Sequence, residues 1–208
     1  MADYKTLRGT ATFEYEEKRS RFIATAAFAD TEEKALAVLN AVRAANRTAR
    51  HNVYAYVLQN GRTRYSDDGE PAKTAGTPVL ETIHHAGVSD VIVVVTRYFG
   101  GILLGAGGLC RAYTKAAKDA LDDAGISELR PWSVLHLACP YALFERVKLE
   151  LEKHSGLLRD TDYSAEIAMT VLLPEPEEAA FAAALRELSA GSLCPERTGT
   201  ELHGVKIR

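Results

Sequence analysis

Residues 93–113 read VVVTRYFGGILLGAGGLCRAY, and residues 66–80 before them read SDDGEPAKTAGTPVL. Five of the chain's fifteen glycines, Gly100, Gly101, Gly105, Gly107 and Gly108, crowd into nine positions. They lie between an apolar run and a run with helical spacing. Glycine costs backbone entropy and packs nothing, so such a cluster marks unusual dihedrals or close backbone approach. A strand, a glycine turn and a helix in that order present backbone N–H groups and a helix N-terminus to an anion. Arg97 and Arg111 flank the turn and could add positive charge. The alternative, that the glycines only let a tight loop pack against a sheet, stands equally at this level.

The nucleotide motifs that a glycine cluster suggests fail in detail. Gly100 and Gly105 have the Walker A spacing, but Ala106 and Gly107 stand where Lys and Ser or Thr are required. A dinucleotide fingerprint begun at Gly105 meets Cys110 at its third glycine. Asp67, Asp68 and Glu70 are close enough to hold Mg²⁺ or share a proton. The plainer reading is a turn in which Ser66 and the Asp side chains cap backbone N–H groups. His84 and His85 are adjacent on a predicted helix and point about 100° apart. His51 starts a strand among basic residues, either as a ligand contact or as a structural histidine.

Outward from the glycines, VIVVV at 91–95 predicts a strand covered on both faces. A helix is predicted from about 106 to 123, with Leu109, Tyr113, Ala116 and Leu121 inward and Gly125 ending it. Upstream, 10–16 and 21–28 alternate as strands. Asp30 or Thr31 caps a helix striped by Ala35, Leu36, Val38, Leu39 and Val42. Residues 52–59 form a strand stopped at Asn60-Gly61. The segment 66–76 is a loop, and Thr77-Pro78 opens a helix to about His85. After a boundary at Glu128–Pro131 come a strand at 132–139, a helix from Tyr141 to His154, strands at 157–163 and 165–173, a helix from Glu175 to Leu188 and a strand at 200–207. That order is β-α-β-β-α-β, the ferredoxin-like pattern. The expected organisation is α+β with two domains, 1–130 and 131–208.

Composition is that of a globular protein, 47% apolar and 25% charged. No run suits a bilayer span and the N-terminus lacks an apolar signal region. Cys110, Cys139 and Cys194 show no pairing or zinc spacing. Together these predict a cytoplasmic protein without membrane contact. Net charge is +1 over residues 1–130 and −4 over 131–208. Residues 34–66 carry Lys34, Arg43, Arg47, Arg50, Arg62 and Arg64 with no acid, interleaved with Tyr54, Tyr56 and Tyr65. Cations beside aromatics suit phosphate contact with base stacking, or simply a solvated face.

The pieces KRSRFIA at 18–24, HNVYAY at 51–56, SDDGEP at 66–71, TAGTPVL at 74–80 and the stretch 93–113 resemble the IMPACT/YigZ family. The resemblance implies an N-terminal domain like domain 2 of ribosomal protein S5, and a C-terminal domain like a ferredoxin-like domain of elongation factor G. Eukaryotic members regulate translation by acting on activation of a stress-responsive initiation-factor kinase. For bacterial members, nucleic-acid or ribosome binding is the usual inference. Three positions depart from the family pattern: Lys73 replaces a usual glycine, Val53 a common cysteine and Cys110 a common valine.

The resulting expectation is a non-enzymatic, translation-associated regulator that binds RNA or the ribosome. Its contacts are Arg47, Arg50, Arg62, Arg64, Lys73, Thr74, Arg97, Tyr98, the five glycines and Arg111, beside the acidic loop of Ser66, Asp67, Asp68 and Glu70. No catalytic residue, metal ligand or cofactor is assigned. A magnesium-dependent enzyme acting on a small anionic or peptide-like substrate is the alternative. A protein-interaction module is a third reading, in which the acidic C-terminal domain engages a protein partner or occludes the basic face.

Overall fold

The computed structural model describes residues 3–206. The final residue of the strand expected at 200–207 lies outside the described residues. The chain forms two compact units, one built on Tyr4–Glu128 and the other on Leu129–Gly204.

The first unit is organised around β6 (Val91–Tyr98). Its sheet runs β2 (Ala11–Glu17), β3 (Ser20–Phe28), β6, β4 (His51–Val57), β5 (Thr63–Ser66), with each neighbouring pair antiparallel. A strand alternates sides with period two, and β6 has apolar residues for both. Val91, Val93 and Val95 pack with helices α2 (Gly76–Ala86) and α3 (Ala106–Ala124). Ile92 and Val94 pack with α1 (Glu32–Ala45). The expectation of a strand covered twice is thus met. Thr31 caps α1, its Oγ1 accepting the Lys34 N–H at 3.2 Å.

Two strands escaped the sequence reading. β1 (Tyr4–Leu7) is held through the Ser89 N–H, which donates to the Lys5 carbonyl at 2.8 Å. β5 is exposed along most of its four residues and has no apolar alternation. It exists because the Asn60-Gly61 turn returns the chain, with the Leu58 N–H donating to the Arg62 carbonyl at 2.9 Å. α2 starts at Gly76, earlier than Thr77-Pro78, for a reason found in the acidic loop below.

In the second unit, β7 (Ile126–Cys139) is longer than the strand read at 132–139 and continues through the Glu128–Pro131 stretch. It is followed by α4 (Tyr141–Lys153), β8 (Leu157–Tyr163), β9 (Ile167–Pro174), α5 (Glu178–Leu188) and β10 (Glu196–Lys206). A 3₁₀ turn, Glu175–Glu177, stands in place of the first turn of the helix expected from Glu175. The sheet order β10–β7–β9–β8 is the ferredoxin-like arrangement. Leu135, Leu137, Ile167, Met169 and Val171 face Val147, Leu151, Phe181 and Leu185 from the helices. The fold is α+β with two sheets and five α-helices among the described residues.

Leu39 anchors α1 to the second face of the first sheet and is almost fully buried. Leu39→Ala is expected to lower the unfolding free energy by about 2–5 kcal/mol in chemical denaturation. A loss of only about 0.5 kcal/mol, the size of a surface change, would contradict that packing.

Candidate functional site

The stripe Val91, Val93, Val95 ends in a charge. The next residue on that face is Arg97, and strand register seats it between Phe22 on β3 and His51 on β4. Its side chain is only 6% exposed. The guanidinium carbon lies 5.5 Å from the centroids of both Phe22 and Phe99. Nη1 donates to Glu70 Oε1 at 2.7 Å and Nη2 to Ser20 Oγ at 3.3 Å, while the buried Nε has no partner among the described residues. Glu70 is 4% exposed at its side chain and also accepts the Tyr113 hydroxyl of α3 at 2.8 Å. Burial, and then the Glu70 charge, push the Tyr113 phenol well above its usual range.

The other acids of the loop point elsewhere. Asp67 Oδ1 accepts the N–H groups of Ala75 and Gly76 at 3.1 and 2.7 Å, and its Oδ2 accepts that of Lys73 at 2.9 Å. This carboxylate caps α2 from nine residues upstream, which explains the early helix start. Asp68 Oδ2 accepts the Asn52 N–H at 2.6 Å and its Oδ1 accepts Arg43 Nη2 at 3.1 Å. Ser66 Oγ accepts the Asp68 N–H at 3.1 Å. The turn-capping reading describes the first two acids; Glu70 is instead a buried counter-ion. Three diverging carboxylates do not form a magnesium cage.

The glycine loop closes this arrangement. Ser20 Oγ accepts the Gly100 N–H at 3.2 Å. A side chain on Gly100 would begin 2.0 Å from the Arg19 carbonyl, so the close approach demands glycine. Gly105 caps α3 at φ 74°, where L-residues are strained. No side chain caps α3 and its first turn holds no acid, so the positive end of the helix dipole faces outward. There a cavity of about 370 Å³ is lined by Arg50, His51, Glu70, Arg97, Phe99, Gly105 and Ala106.

The predicted basic residues divide. Arg50 and Arg97 share this cavity, but Arg97 is already committed to Glu70. Arg111 lines a separate pocket with Lys18 and Lys115, beyond Leu104, and its Nη1 approaches Gly107. Arg62 and Arg64 lie 3.8 and 3.2 Å from Glu32 of α1. Thr74 is buried with its hydroxyl on the Pro71 carbonyl, and the Tyr98 hydroxyl donates to Asn46. Arg47 and Lys73 are exposed, Gly108 packs on Leu104, and Gly101 turns in the open at φ 82°. Sequence reasoning missed Ser20, Phe22 and Phe99. Tyr113 carried a core signal, which is correct, but its hydroxyl had no visible partner.

Residues 18–121 match the family described as the Impact N-terminal domain, and residues 137–192 match a domain of unknown function (DUF1949). The IMPACT family member YvyE of Bacillus subtilis is 35% identical over 193 residues, covering 92% of this chain and 89% of that protein. The chain belongs to the IMPACT family. The IMPACT family member YigZ of Escherichia coli is 38% identical over 180 residues, 85% of this chain and 88% of its own. A crystal structure described as that of a hypothetical protein superposes with a TM-score of 0.62 at 35% identity, over 96% of this chain and 98% of its own. In this IMPACT chain every residue of the cavity falls inside the matched N-terminal domain.

Lys73 adopts φ 64° at the position where the family resemblance supplies glycine. Lys73→Gly is expected to raise stability by about 1 kcal/mol in denaturant titration, since a left-handed side-chain residue costs about that much. A loss of stability would show that the lysine side chain holds the loop.

The folded state keeps the Tyr113 phenol neutral, whereas an unfolded tyrosine ionises near pH 10. The contribution is therefore intact below about pH 10 and lost above it, by about 1.4 kcal/mol per pH unit. Relative to Tyr113→Phe, the wild type should lose stability as pH rises past that point; parallel curves would refute the burial argument.

Proposed function

We propose that this protein binds RNA through the glycine-loop face of its N-terminal unit, in a translation-associated role without catalysis. The observation that carries the reading is the set of exposed cations around that loop. Arg50 and Arg111 have no acidic partner among the described residues, and they flank the uncapped start of α3. Phe99, which lines the cavity with Arg50, is 45% exposed and offers a ring for base stacking. Phosphate contacts of this kind supply most sequence-independent affinity, and an aromatic platform adds tolerance of any base.

The acids of the SDDGEP loop make a poor case for catalysis. Glu70 is saturated by Arg97 and Tyr113, and Asp67 and Asp68 hold backbone N–H groups. None is left as a nucleophile or base. Family membership supports the translation-associated part of the reading, because the IMPACT resemblance implies translational regulation in eukaryotic members.

The test is fluorescence anisotropy of a single-stranded RNA across a salt series, with the whole chain. Arg50→Ala/Arg111→Ala should bind at least about tenfold more weakly, and its log–log salt slope should be shallower by about 1.4, two phosphate contacts at about 0.7 each. Equal affinity and slope in wild type and variant would remove the proposal.

A further inference from the structure

The cavity at the start of α3 is more specific than a basic face requires. From its geometry we infer that it receives a terminal phosphomonoester of RNA, with the adjoining base on Phe99. The inference rests on the reading of this face as RNA-binding and names the part of RNA the cavity takes.

Three features converge there. α3 is 19 residues long, and the N–H groups of its first turn have no side-chain acceptor. Arg97 lines the same cavity, nine-tenths buried, with its Nε unpaired. His51 Nδ1 lies 2.9 Å from the Asp68 carbonyl oxygen. A carbonyl only accepts, so Nδ1 carries the hydrogen and Nε2 is left as an acceptor, open to the P–OH of a phosphate.

The number and sign of the groups select the ligand. Arg50 and Arg97 against Glu70 leave one positive charge, to which the helix end adds about half. A phosphomonoester carries about −1.5 to −2 charges and three terminal oxygens. An internal phosphodiester carries one charge, two free oxygens and no P–OH, so it offers no hydrogen to the Nε2 acceptor of His51. The volume of about 370 Å³ falls in the range of about 300–1,000 Å³ for small-ligand pockets. Phe99 already rests against the Arg97 guanidinium and is 45% exposed, so its outer side suits a stacked base.

The experiment compares one RNA oligonucleotide carrying a 5′-phosphate, a 3′-phosphate or hydroxyls at both ends, by anisotropy with the whole chain, and adds calorimetry with adenosine monophosphate. One phosphorylated end should bind at least about tenfold tighter than the hydroxyl form. Arg50 is exposed, so Arg50→Ala should fold and should cut that preference below about threefold. Equal binding of all three oligonucleotides overturns the inference and leaves RNA binding standing. Full preference retained in Arg50→Ala overturns it as well. Heat from adenosine monophosphate without oligonucleotide binding supports the phosphomonoester site as one for free nucleotide and overturns the RNA reading. No binding of either overturns both.

Discussion

A buried ion pair, Arg97 with Glu70, holds the cavity end of the N-terminal unit in place. Taking two charges out of water costs several kcal/mol per ion, and attraction alone repays it only with good geometry and further hydrogen bonds. Here the 2.7 Å contact is joined by the Tyr113 hydroxyl, Ser20 Oγ and two aromatic faces. Ser20 and Phe22 come from β3, Tyr113 from α3 and Phe99 from the start of the glycine loop. The pair thereby ties the acidic loop to β3, β6 and α3. Such an arrangement adds less to stability than its contacts suggest, because desolvation offsets them. What it fixes is position: it sets the floor of the cavity and the approach of the glycine loop.

That position explains the division of labour among the charges. The acids of the SDDGEP loop diverge, each on donors of its own. Arg50 and Arg111, on either side of Leu104, are left without an acidic partner among the described residues, as are the exposed Arg47 and Lys73. Gly100 and Gly105 serve both readings offered by the sequence. Gly100 lets the loop pack against Arg19 and Ser20, and Gly105 opens α3 without a capping side chain. Tight packing of the loop is what presents the helix start.

Periodicity revealed most of the fold. VIVVV declared a strand with two apolar faces, and the βαββαβ order of the second unit was readable from strand and helix signals. β1 and β5 were not readable, since each is four residues long; β1 gains its partners from distant segments, and β5 has no apolar alternation. The site was less legible. The acid-free stretch 34–66 looked like an open basic surface, yet Glu32 and Asp68 lie just outside its edges and neutralise Arg62, Arg64 and Arg43. Local composition cannot show pairing across 25 or 32 positions. Arg97 resembled a ligand-binding arginine for the same reason: Glu70 is 27 residues away in sequence. The SDDGEP motif set its acids side by side in sequence and concealed that they separate in the fold.

A double-mutant cycle on Glu70 and Arg97, read by equilibrium denaturation, tests the central claim directly. Glu70→Gln alone leaves a buried guanidinium without its counter-ion and should cost about 3–5 kcal/mol. Glu70→Gln combined with Arg97→Met should cost less than that single change, because the apolar methionine removes the stranded charge. Additive losses in the double variant would mean that the two side chains act independently, and that this ion pair is not what holds the loop, the sheet and α3 together.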